Sequence, residues 1–315
     1  VEVIIMQVGL REILTPMSVM ALIMASGYLV KKIGIFSEAS DKTLSRFIIN
    51  ITCPAMIVIS LSEPKEYSDL ENLFTFVCLC AISILFSYFT SKVVLGAFKY
   101  NENDAIIYRV GMIFGNVAYI GFPLCYSLFG NTGLLYASIY AAIQEAFLWS
   151  IGIDIMSNNA NKGFNKFKNL LNPNMIAIII GFILFTMNVI LPEFLYSTLS
   201  SIGSMTIPLA YMMVGSGFYK TKISLDDIKS ISLPAIYKLM LVPAIVGIAL
   251  YFVNIEPMLK TILLVQISMP FAASGVALAK NFGRDSVLAS KAVTITTGAC
   301  LVTLPIIILF AGMLY

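Results

Sequence analysis

Met112–Phe129 (MIFGNVAYIGFPLCYSLF) and Leu263–Phe282 (LLVQISMPFAASGVALAKNF) decide the fold. Each is long enough to cross a bilayer. Each also carries its helix-disrupting and polar residues mid-way. The first has Gly115 and Asn116, then Gly121 and Pro123; the second has Gln266, Ser268, Met269 and Pro270. A backbone in hydrocarbon must satisfy its own hydrogen bonds, so a break at that depth needs protein or a watery cavity around it. Paired breaks in corresponding positions of two halves point to a transporter's binding site. The stretch predicts an all-α membrane protein organised around two broken helices.

The surrounding composition agrees. The 315 residues are 59% hydrophobic and 12% charged, whereas a soluble domain carries about a quarter charged residues. Cys53, Cys78, Cys80, Cys125 and Cys300 all lie in apolar runs, where cysteine behaves as a small hydrophobe. There is no histidine, which argues against zinc and leaves any proton coupling to a carboxylate, lysine or tyrosine. No phosphate-cradling glycine loop is present. Without histidine, an aspartate pair or a serine beside a helical base, the chain does not read as an enzyme. No cofactor and no nucleic-acid partner are expected.

A spanning helix needs about 20 apolar residues, and the sequence predicts ten such segments. They run over 13–30, 44–61, 73–98, 105–129 and 134–156, then 173–191, 195–218, 231–253, 258–282 and 286–314. Residues 157–172 form the longest connection, so the chain divides into 1–156, the connection, and 173–315. Asn172 is placed to cap the sixth segment, with Pro173 in its first turn. If the N-terminus lies outside, sixteen of the twenty lysines and arginines fall on the cytoplasmic side. Both termini are thus expected outside a multi-pass plasma-membrane protein.

Five segments and five segments also rhyme. Gly27 and Gly181 stand 154 residues apart, as do Pro54 and Pro208; Phe129-Gly130 and Phe282-Gly283 stand 153 apart. On that last spacing Gly115-Asn116-Val117 falls opposite Ser268-Met269-Pro270. Five is odd, so the second half enters the membrane from the other side, which predicts an inverted repeat.

The breaks suggest an anion site. An unwound helix points free N–H groups and the positive end of a half-helix dipole into the gap. Asn116 and Gln266 can donate amides to a carboxylate, Ser268 a hydroxyl, and Gly115, Met269, Pro270 and Gln144 border them. Asn116 and Gln266 could equally bridge helices by side-chain hydrogen bonds. Gly121, Pro123 and Pro270 read as crossover hinges, while Pro54 and Pro208 read as kinks and Ala272–Gly275 as a close-packing surface. Glu145 and Lys238 lie deep, where a charge marks function or a partner. They form either a structural pair or a coupling site, with desolvation making Glu145 a proton carrier.

Asn116-Val-Ala-Tyr-Ile-Gly121-Phe-Pro123-Leu124 resembles the N-x-x-x-x-G-x-P-L signature of the auxin efflux carrier family, which includes the plant PIN exporters. Val265-Gln266, Met269-Pro270, Ala279-Lys280, Ser290, Ala292-Val293 and Leu304-Pro305-Ile306 extend the likeness, as does Asn172-Pro173-Asn174. The resemblance implies the crossing-helix fold shared with bile-acid symporters and some sodium/proton antiporters. It further implies elevator transport of small organic anions, with segments 1, 2, 6 and 7 as scaffold and 3–5 and 8–10 as transport domain. A homodimer through segments 2 and 7 is implied too. Gly115 departs from the proline that PIN exporters carry there, and the long cytosolic loop of many plant members is reduced to 157–172. Bacterial relatives are associated with malate- and malonate-like acids. Proton or sodium coupling stays open. An antiporter of this fold would want carboxylates at the crossing, where segments four and nine have none. A non-transporting ligand sensor is the reading from another class.

Overall fold

The computed structural model describes residues 10–62, 70–157, 172–187 and 189–315. Every regular element among them is helical. In chain order these are α1 (Leu10–Lys32), α2 (Glu38–Ser62), α3 (Leu70–Ala97) and α4 (Glu102–Ile113). Next come α5 (Val117–Met156), α6 (Pro173–Thr186), α7 (Glu193–Ser204) and α8 (Thr206–Lys220). The last are α9 (Leu225–Tyr251), α10 (Pro257–Ile267), α11 (Ser274–Asn281) and α12 (Ser286–Leu314).

Six helices among the described residues are long and apolar enough to cross a membrane. The ten expected segments exceed that number because breaks shorten several and merge two. The fourth is split into α4 and the start of α5, the seventh into α7 and α8, and the ninth into α10 and α11. The expected boundary between the fourth and fifth is no gap but a turn inside α5 at Gly130 (φ 60°, ψ −147°). Only glycine adopts that conformation readily.

The helix ends follow local chemistry. Asn172 accepts the Met175 amide and so caps α6, with proline at its first position, as expected. Ser37 and Ser224 close reciprocal capping boxes on α2 and α9. Of four π turns among the described residues, three, Ile48–Thr52, Val117–Gly121 and Tyr237–Leu241, each end two residues before a proline, at Pro54, Pro123 and Pro243; the fourth, Leu148–Gly152, precedes none. Proline cannot donate and its ring crowds the carbonyl four residues back. Widening the preceding turn relieves the crowding, which is how these prolines are accommodated without ending their helices.

Glycines set the closest packing. A Cβ on Gly27 of α1 would sit 2.0 Å from the Met212 carbonyl oxygen, and one on Gly215 of α8 would sit 1.8 Å from that of Met24. The backbones of α1 and α8 therefore touch. Similarly α2 meets α6 where Gly181 lies against Leu61, and meets α7 where Gly203 lies against the Met56 backbone. The other helices pack among themselves, with α10 against α5 and α12, while α5 and α12 also touch α1. Cys53, Cys80, Cys125 and Cys300 are buried and all five cysteines are free.

Candidate functional site

The two breaks meet. Beyond Ile113 the chain turns extended at Phe114 (φ −104°, ψ 124°), and Asn116 then opens α5. Beyond Ile267 it leaves the helix until Ser274. Gly115 and Phe271 form an antiparallel bridge. Asn116 N donates to the Pro270 carbonyl at 2.7 Å, and Ala272 N to the Phe114 carbonyl at 3.1 Å. Each break thus satisfies backbone groups that the other leaves free, which is what burial in an apolar medium demands.

Side chains complete this pairing. The Gln144 carboxamide accepts from Gly115 N and donates to Gly115 O, both at 2.9 Å, while being almost fully buried. Thr296 Oγ1 accepts from Phe271 N at 3.2 Å. Lys238 Nζ donates to the Ile113 carbonyl at 3.1 Å. That places a donor at the negative end of half-helix α4. Two glycines make room: a Cβ on Gly111 would lie 2.1 Å from the Phe271 ring, and one on Gly121 would lie 2.5 Å from Gln266 Oε1.

A cavity of about 430 Å³ opens beside the crossing, walled by Gly115–Tyr119, Gln144, Glu145 and Trp149 on one side. Ala272–Ser274 continue that wall, and Ser45, Asn172, Asn174 and Met213 face it from α2, α6 and α8. A second cavity of about 270 Å³ touches Asn116, Tyr119, Met213 and Ala273 and extends toward Ser290 and Thr297. Asn116 and Tyr119 stand between the two. Tyr119 Oη and Ser45 Oγ share a hydrogen bond of 2.8 Å. The Asn116 side chain makes no hydrogen bond to the described residues.

Of the binding candidates, Asn116, Gly115 and Gln144 line the larger cavity. Gln144 does so as the tie that holds Gly115. Pro270 belongs to the backbone pairing instead, and Met269 N donates within its own turn to the Gln266 carbonyl at 3.3 Å. Gln266 and Ser268 are fully buried away from both cavities. Gln266 Nε2 donates to Cys125 Sγ at 3.3 Å, and the Ser268 hydroxyl donates to Leu264 O at 2.6 Å, four residues back. Gly121 and Pro123 border the π turn that opens α5. The possible Glu145–Lys238 pair does not form. Glu145 accepts from Trp149 Nε1 at 2.6 Å, and Lys238 is held at Ile113.

The sequence pattern did not reveal Asn174, Ser45 and Asn281 as wall residues. For Asn174 a signal exists. An asparagine in the first turn of a helix as apolar as α6 has no reason to be there for packing.

The sequence profile of the membrane transport protein family matches residues 12–165 and 161–308. The chain belongs to that family, the auxin efflux or PIN-like carriers. An uncharacterized transporter of Methanocaldococcus jannaschii is 25% identical over 286 residues, covering 86% of this chain and 90% of that one. An uncharacterized transporter of Methanothermobacter thermautotrophicus is 22% identical over 294 residues, covering 93% and 96%. With its long apolar helices, this family member is a multi-pass membrane transporter.

Proposed function

We propose that the chain is a secondary transporter of small organic anions that binds a carboxylate at the crossing. The observation that carries this is the Asn116 side chain, without a hydrogen-bond partner among the described residues where two half-helix N-termini border one cavity. The first amides of α5 have no partners within their own helix. In α11 Gly275 N and Val276 N already donate to the Ala272 and Ala273 carbonyls at 3.0 and 3.2 Å, which leaves the Ser274 amide. The dipoles of both helices favour negative charge there. Asn116 adds an amide donor at the same place.

An elevator mechanism fits the packing. The larger cavity lies between α2, α6 and α8 on one side and the breaks with α5 on the other. Taking α1, α2 and α6–α8 as scaffold leaves α3–α5 and α9–α12 as the moving domain. An inverted repeat is supported by the crossed contacts: α1 packs on α8 of the second half, as α6 packs on α2 of the first. The dimer is assigned to α2 and α7–α8.

Asn116→Ala is expected to weaken carboxylate binding by about 1–3 kcal/mol, the usual loss when a buried group is left unpaired. Titration of malonate and malate against purified wild type and variant, with uptake into proteoliposomes, checks this. Wild-type affinity and rate in Asn116→Ala would move the site elsewhere.

Orientation is tested separately. Both termini are placed outside by the bias in lysine and arginine. Cysteines at Glu193 and Asn254 should then react with an impermeant thiol reagent on intact cells, whereas cysteines at Lys32 and Lys222 should not. All four positions are exposed. The reverse labelling pattern would invert the topology.

A further inference from the structure

The cavity beside the crossing is lined by two chemically different sets of groups. At the breaks it offers donors: the Asn116 side chain, the opening amides of α5 and the Ser274 amide of α11. Elsewhere it offers acceptors. Glu145 is the one ionisable acid or base among the described residues of its wall apart from the Tyr119 phenol, and it is an acid; no lysine or arginine among the described residues lines it.

Three features point the acceptors at a cation. The Trp149 N–H donates to the Glu145 carboxylate at 2.6 Å, a charge-assisted bond that fixes the carboxylate in the wall. The Trp149 ring lies in the same wall, and an indole face attracts an ammonium group. Asn174 also lines this cavity, and its Oδ1 is buried with no hydrogen-bond partner among the described residues. A buried acceptor left empty is unfavourable until a donor reaches it. A simple dicarboxylate offers those acceptors only further negative charge, which Glu145 would repel.

We propose that the transported carboxylate also carries a cationic amino group, so that the substrate is a zwitterion of the amino-acid class. Its carboxylate sits at Asn116 and the half-helix N-termini, and its ammonium sits between Glu145, the Trp149 face and Asn174 Oδ1. This rests on the carboxylate-binding reading above and changes the net charge of its substrate from negative to zero. A volume of about 430 Å³ accommodates such a molecule.

Matched pairs isolate the amino group. Glycine, L-alanine and L-leucine are titrated by calorimetry against acetate, propionate and 4-methylpentanoate on the purified full chain. Malonate is run alongside. In wild type the amino acids should bind at least about tenfold more tightly than their partners, the effect of one charge-assisted contact. In Glu145→Gln that advantage should vanish while the simple acids bind as well or better; Glu145→Asp should retain part of it.

Equal or tighter binding of the simple acids in wild type overturns the proposal, and so does a preference that survives Glu145→Gln. If Glu145→Gln does not fold, the wild-type comparison still decides. Loss of pH-dependent transport in Glu145→Gln, with the ligand preference unchanged, would make Glu145 a proton carrier and also overturn it. If malonate alone binds, and Asn116→Ala weakens it, the carboxylate transporter stands and the zwitterion falls. If no compound binds, both readings fall.

Discussion

Gln144→Leu is expected to abolish transport and to lower the melting temperature of the purified protein markedly. The carboxamide meets both backbone groups of Gly115 in a buried place. Leucine matches it in size but leaves one N–H and one C=O unsatisfied, each loss worth about 1–3 kcal/mol. With those bonds gone, nothing from α5 holds the first break open at its fixed angle. Gln144→Glu is the informative companion. An ionised carboxylate can still accept from Gly115 N but cannot donate to Gly115 O, so an intermediate loss is expected. Thermal melting followed by fluorescence, together with proteoliposome uptake, reads both effects. Near-wild-type melting and uptake in Gln144→Leu would show that the tie is dispensable.

Gly111→Leu should be comparably severe for a different reason. The Phe271 ring occupies the space where a Cβ would stand, with ring carbons within 2.1–2.5 Å of it. A leucine there must expel the ring, and Phe271 is the residue that bridges to Gly115. Overpacking of a tight core costs about 1–3 kcal/mol and occasionally more. Here it also unseats the pairing of the two breaks. Adding Phe271→Ala to Gly111→Leu should recover folding, measured by melting and elution profile, because the space is returned. A double variant no better than the single one would mean that the contact is not what matters.

The sequence carried the positions of the breaks because Gly, Asn and Pro in the middle of an apolar run weaken a helix and add nothing to its packing. It carried the α6 cap for a similarly local reason. It also placed Glu145 and Lys238 at depth, but hydropathy reports depth and not azimuth. Two buried charges at similar depth need not face each other, and here Lys238 turns to a backbone carbonyl and Glu145 to an indole. Gln266 and Ser268 show the same limit. They sit at the break, as polar residues there should, yet point into packed protein. Gln144 was legible as a polar group near the break; that its partner is a single peptide unit follows only from three-dimensional pairing. Gly111 gave no sign, since its meaning lies in Phe271, 160 residues further on.

The glycine contacts between α1 and α8 have a mechanical consequence. Side chains that interlock can change rotamer and let two helices slip, but Gly27 and Gly215 put main chain directly against main chain. Such a joint has no slack, so α1 and α8 behave as one rigid strut. The face opposite is made differently. Ala272, Ala273, Ser274 and Ala277 present short side chains to the cavity, with little that could catch on a neighbour. At this seam the Ser45–Tyr119 hydrogen bond is a weak catch, a pair of neutral hydroxyls that water could replace. The movement that the proposed elevator mechanism requires would run over these short side chains, alongside the rigid pair α1 and α8.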